Sequence, residues 1–202
     1  KKLAVPLDKT IDLILELEKK FFTKNTSKNS EIDNVHKDIK RPKNFEFVKY
    51  YKVNNSVFKV SYLSEKELSF VHPKFAHLVI DETKGFLNEF EVFINHNFIF
   101  LYVNNIFIGS WSSQNIHFFQ GKFSMEFIQK IHQKEEDEWL GVFHASAISN
   151  GEKSMLFLGD SGNGKSTSLA LLQANGFTCL ADDFVPIEAN KQEVYSFPAA
   201  IS

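Results

Sequence analysis

Eight residues, Gly159-Asp160-Ser161-Gly162-Asn163-Gly164-Lys165-Ser166, place three glycines, a lysine and a hydroxyl in the spacing G-x-x-x-x-G-K-[ST]. Phosphate oxygens are met by converging backbone N–H groups, and side chains would block that approach, so a loop of this kind is filled with glycine. The apolar run SMLFLG before it predicts a buried strand. The stretch KSTSLALLQA after it predicts a helix ending at Asn175-Gly176, with Gly176 as a left-handed cap. The first-turn amides of such a helix have no intrahelical partner and its dipole favours negative charge, so phosphates are expected at its start. Lys165 then neutralises the β- and γ-phosphates, and the Ser166 hydroxyl completes a Mg²⁺ sphere otherwise made of phosphate and water oxygens. The expected ligands are ATP and Mg²⁺, and the candidate nucleotide-binding residues are Gly159, Asp160, Ser161, Gly162, Asn163, Gly164, Lys165, Ser166 and Thr167.

Two carboxylates follow. FTCLADD, Phe177 to Asp183, reads as an apolar strand ending in Asp182 and Asp183. If this strand runs parallel to MLFL, both strands end on the same sheet edge and the acids fall beside the loop, where Mg²⁺ would sit. Successive side chains at a strand end point to opposite sides, so the two acids need not share a task. One suits metal-bound water and the other the substrate.

The stretch His144 to Ile187, HASAISNGEKSMLFLGDSGNGKSTSLALLQANGFTCLADDFVPI, resembles the P-loop core of HPr kinase/phosphorylase and its relatives. The agreement extends to spacing: His144 stands fifteen residues before Gly159, and Asp182 and Asp183 stand seventeen and eighteen after Lys165. The resemblance implies a kinase that transfers the γ-phosphate of ATP to a hydroxyl, usually serine, on a protein or peptide. It implies that Asp183 takes the proton of the acceptor, that Lys165 and Ser166 hold phosphate and Mg²⁺, and that His144 lies near the transferring phosphate, which leaves Asp182 as the candidate metal-side acid. It also implies an α/β core of the phosphoenolpyruvate carboxykinase type, a mixed, curled sheet with helices on one side. The sequence reads His-Ala-Ser where HPr kinase has His-Gly, and its front half bears no likeness to that enzyme's N-terminal domain, so HPr is not the expected substrate. The family's later glutamate ligand to Mg²⁺ and its later basic residues would fall beyond Ser202, so the sequence is expected to stop inside the domain. The alternative reading is a nucleotide-binding switch or interaction module without phosphotransfer.

These residues must be held by a folded chain. With 202 residues, 43% of them hydrophobic, a sizeable core can be buried. A net charge of −2 supplies no general attraction to nucleic acid or to an anionic membrane, so neither is an expected partner. One cysteine, Cys179, makes no internal disulfide and reads as a core residue, and no apolar run approaches the roughly 18 residues of a membrane span, so the expected setting is cytoplasmic. Composition divides the chain into an N-terminal helix and polar linker (1–44), a β-rich and mostly antiparallel domain (45–137) and the P-loop core (138–202). The helix is expected over Leu7–Phe22. In the middle part FEFVKYYKV, VFKVSYL, FEVFINH, FIFLYV and IFIGSW read as strands. Asn104-Asn105 closes a hairpin, since asparagine tolerates positive φ, and a helix is expected over Lys122–Lys134. The aromatic residues read as core rather than as a base-stacking surface, and His72, His77, His96 and His117 lack metal-ligand spacing. The expected partner is a protein or peptide hydroxyl acceptor, which could dock by adding a strand to the sheet edge. A homo-oligomer is compatible with the sequence.

Overall fold

Runs of phenylalanine, tyrosine and valine at period two form a six-stranded sheet because each strand can put alternate large side chains on one face. The structure, a computed structural model, describes residues 40–160 and 162–198. The helix expected over Leu7–Phe22 and most of the polar stretch after it lie outside the described residues. The strands are β1 (Phe47–Val53), β2 (Ser56–Tyr62), β3 (Val79–Ile80), β4 (Asn88–Asn95), β5 (Phe98–Val103) and β6 (Ile106–Ser112), in the order β3-β1-β2-β4-β5-β6. All neighbours are antiparallel except β2 and β4, which run parallel with Val60 opposite Phe90, so the sheet is mixed. The hairpin at Asn104-Asn105 has φ of +49° and +68°, as its turn demands, and His96-Asn97 closes a second hairpin in the same way with +46° and +67°.

A parallel pair needs a crossover, and helix α1 (Glu65–Phe75) lies within it. The sequence reading missed this helix because Pro73 falls inside it and its start, SEKE, is polar. Its start is nevertheless strongly specified. Ser64 and Glu67 form a reciprocal capping box, and the buried Glu67 also accepts from the Ile94 N–H of β4 at 2.8 Å. Helix α2 spans Ile116–His132 and so begins earlier than expected. Gly121 argues against a helix locally, but Phe119 and Phe123, both buried, carry it through.

Helices α1 and α2 cover one sheet face. Phe127 meets Phe58 at 4.3 Å and Phe75 at 4.9 Å between ring centroids, and Phe90 packs on Phe123 at 5.2 Å. The same hydrophobic cluster continues through Trp139, Ala145, Ala181 and Val185 to Phe197, and the described residues from Pro42 onward form one compact unit. The remaining strands are β7 (Trp139–Phe143), β8 (Ala145–Ser149), β9 (Ser154–Leu158), β10 (Thr178–Ala181) and β11 (Val185–Glu188), with helix α3 (Lys165–Ala174) between β9 and β10. They build a three-stranded sheet, β10-β8-β9, and a two-stranded one, β11-β7. Strand β9 differs from the expected buried strand: it is an edge, with Met155 59% and Leu158 69% exposed. Helix α3 stops as expected, with Phe177 N–H donating to Leu172 O and Gly176 N–H to Gln173 O. Among the described residues no helix is long and apolar enough to cross a membrane.

Two outcomes follow from this core. Phe127→Ala removes a fully buried ring and should lower unfolding free energy by about 3–5 kcal/mol in urea titration; a loss near zero would mean the ring is not packed as described. His132 is half-buried, with its ring edge-on to Tyr195 at 4.9 Å and its Nε2 2.8 Å from Ser196 O. Burial chiefly, with Lys134 adding, holds its pKa below the usual histidine value against the opposing bond to Ser196. The folded state therefore favours neutral imidazole. Its contribution is complete above about pH 6.5 and is lost as pH falls below that, where the unfolded chain takes up more protons. His72, also depressed by burial and then by Lys49, acts in the same sense. His132→Gln should flatten, without abolishing, the drop in melting temperature between pH 7.5 and 5.5.

Candidate active site

Strand polarity brings the site together. β9 and β10 both pair antiparallel with β8, so they run in one direction with β8 between them. The ends of β9 and β10 and the start of β8 therefore share one sheet edge: Ala145 pairs with Leu158, and Ala147 with Ala181. The loop after β9, the two acids after β10 and His144 just before β8 all leave from that edge. The expectation that loop and acids meet at one edge holds, although an antiparallel strand separates the two that carry them.

In the loop, Gly162 and Gly164 adopt φ of +85° and +78°, left-handed conformations that a side chain would strain, and a Cβ at either would meet nothing within 4 Å. The backbone here faces open space. Gly164 caps α3 with no side-chain bond, so the helix start presents its amides uncovered by a capping side chain. Asn163 N–H donates to Asp160 O at 3.3 Å, closing the loop's inner turn. Lys165 folds back, its Nζ donating to Gly159 O at 2.8 Å and Asp160 O at 3.0 Å. Ser161 lies outside the described residues.

The two acids part company. Asp182 is only 2% exposed; Ser146 Oγ donates to its Oδ1 and Ser166 Oγ to its Oδ2, the latter at 2.9 Å. Asp183 follows at φ +71°, within a tight turn in which Phe184 N–H donates to Asp182 O at 3.0 Å. That conformation costs on the order of 1–3 kcal/mol and is typical of functional positions. It turns the Asp183 carboxylate outward, with Oδ2 3.2 Å from Lys74 Nζ and Oδ1 3.8 Å from His144 Nδ1. The His144 ring also approaches Asp183 O at 3.2 Å. A cleft of about 420 Å³ is lined by His144, Gly162, Gly164, Lys165, Ser166, Thr167 and Asp183.

Of the residues singled out from sequence, those seven line the cleft, Asp182 supports it from beneath, and Gly159, Asp160 and Asn163 shape the loop behind it. Cys179 is half-buried, and burial, then the nearby Asp182, push its thiol up, away from nucleophilic character. Ser166 and Asp182 offer hard oxygen donors side by side. That donor set fits Mg²⁺, which commonly takes one or two carboxylates and completes its sphere with phosphate and water. Among the described residues no group of three or more His, Cys, Asp or Glu side chains is placed to hold a metal.

Sequence reasoning missed two members. Ser146 had a signal in the alternation of His-Ala-Ser at the head of β8. Lys74 had none, since it stands 109 residues from Asp183 in a helix that was itself unforeseen. Comparison with protein-family models, with curated proteins and with solved structures finds no match to this chain.

Ser146 is wholly buried and gives a charge-assisted bond to Asp182, so Ser146→Ala should cost about 1–3 kcal/mol of stability in denaturant titration. An unchanged unfolding midpoint would show that Asp182 does not depend on this hydroxyl.

Proposed function

We propose that the chain is an ATP- and Mg²⁺-dependent kinase, with a P-loop core of the phosphoenolpyruvate carboxykinase type, that transfers the γ-phosphoryl group to a serine or other hydroxyl of a protein or peptide. The observation that carries this reading is the convergence of a glycine loop, Lys165, Ser166, an acid beneath and an acid beside the cleft on one sheet edge. Loop amides around Gly162 and Gly164 grip the polyphosphate, and Lys165 exchanges the carbonyls of Gly159 and Asp160 for phosphate oxygens. Ser166 and Asp182 would hold Mg²⁺, which when bound would supply neutralisation of the charge on the phosphates. Asp183 accepts the proton of the attacking hydroxyl as its oxygen bonds to the γ-phosphorus and the bond to the β,γ-bridging oxygen breaks, leaving ADP with the electron pair. His144, which lines the same cleft beside Asp183, would lie near the transferring phosphoryl group.

The division between the two carboxylates gives the test. With water as the acceptor, wild-type protein should bind MgATP and hydrolyse it slowly. Lys165→Ala should lose nucleotide binding while remaining folded. Asp183→Asn should keep its MgATP affinity and lose turnover by about 10²–10⁴-fold, the usual worth of a positioned proton acceptor. Full turnover in Asp183→Asn, or unimpaired binding in Lys165→Ala, would refute the assigned roles.

A further inference from the structure

A cation reaches Asp183 from helix α1, 109 residues earlier in the chain. Lys74 stands in the last turn of α1, next to Pro73, whose ring fixes the local φ. Its Nζ lies 3.2 Å from Asp183 Oδ2 and 5.1 Å from the centroid of the Phe184 ring. The helix that carries it is held at three points. Glu67 ties its first turn to β4, Gln120 Nε2 of α2 donates to Phe70 O at 2.8 Å, and His72 Nδ1 meets the buried Tyr51 hydroxyl at 3.0 Å. The helix backbone from which the ammonium reaches Asp183 is therefore fixed at both its first and its later turns.

Pairs exposed to this degree, 32% for Lys74 and 27% for Asp183, contribute little to stability. What such a pair does supply is orientation. A carboxylate at the tip of a tight turn has several rotamers available, and a charge-assisted bond to a fixed partner selects one. Here it engages Oδ2 and leaves Oδ1 on the side facing His144.

We propose that Lys74 is a positioning residue of the phosphoryl-transfer site, holding the Asp183 carboxylate so that Oδ1 is aimed at the acceptor hydroxyl. The inference rests on the kinase reading. It also separates the neighbouring acids by partner type, since Asp182 is met by the hydroxyls of Ser146 and Ser166 and Asp183 by an ammonium.

The test uses the whole chain, MgATP and water as acceptor. In that reaction water oxygen bonds to the γ-phosphorus, the bond to the β,γ-bridging oxygen breaks, ADP departs and the water proton passes to Asp183. Lys74→Met should leave MgATP affinity unchanged and lower turnover about 10- to 100-fold, the scale of a misplaced reacting group, with Lys74→Arg restoring part of it. Added to Asp183→Asn, Lys74→Met should cause no further loss, whereas a merely structural staple would lower both backgrounds alike. Melting curves verify folding, and Lys74→Gln replaces Lys74→Met if the latter melts early. Wild-type turnover in Lys74→Met, or an additive loss in the double variant, overturns the positioning role alone. A wild-type chain that does not bind MgATP, or binds without hydrolysing it, overturns the kinase reading and this inference with it.

Discussion

The carboxylate of Asp182 is the constraint on which the site depends. A carboxylate held at 2% exposure is costly unless strong donors meet it, and here two hydroxyls do so from two different elements. Ser146 belongs to β8, Ser166 to the first turn of α3 and Asp182 to the end of β10. One buried group thus fixes the helix start against the sheet edge. Shifting α3 by a residue would carry Ser166 away and leave Asp182 short of a donor, so the register of the loop relative to the acids is specified by polar satisfaction as much as by apolar packing. The apolar part is modest: Leu169 is the fully buried side chain of α3, while Leu171 on the same helix is 63% exposed.

From that anchor the different fates of the adjacent acids follow. Strand alternation would send Asp183 to the side opposite Asp182 in any case. The left-handed turn at Asp183 goes further, ending β10 abruptly and sending the chain into β11 with the carboxylate at the bend. Aspartate enters this region of backbone space more readily than most residues, so the position accommodates both the turn and an outward acid. Its neighbours from other elements, His144 and Lys74, approach from opposite oxygens.

Local structure was legible in the sequence; long-range assembly was not. The loop, helix α3, its end at Gly176, the hairpin at Asn104-Asn105 and the five phenylalanine-rich strands each carry their signal within a few residues, and each forms. The mixed α/β character was legible too. What escaped needs partners distant in sequence. Helix α1 is made by Glu67 bonding to β4 and by Val71 and Phe75 entering the core, which outweigh a proline in its last turns. The early start of α2 is carried by Phe119 on the sheet. The exposure of β9 depends on which strand occupies the sheet edge, and SMLFL, apolar throughout its middle, cannot announce that. Among site residues, Ser146 was within reach of period-two reasoning from His144, and Lys74 was not within reach of any.

The continuity of the core explains how a residue so distant can serve the cleft. Phe75, the last residue of α1, packs on Phe197 at 5.9 Å, and Phe197 in turn packs on Phe184, the residue after Asp183, at 5.9 Å. Lys74 and Asp183 are thus each one residue away from members of a single aromatic chain, Phe75–Phe197–Phe184. The backbone of Phe197 adds to it by donating to Leu180 O of β10 at 2.9 Å. Close-packed rings transmit position with little slack, so the six-stranded sheet, through α1, sets where the ammonium sits relative to the turn. The large aromatic sheet needs no ligand of its own to matter to the site, because through α1 it places the ammonium that meets Asp183, a residue of the cleft.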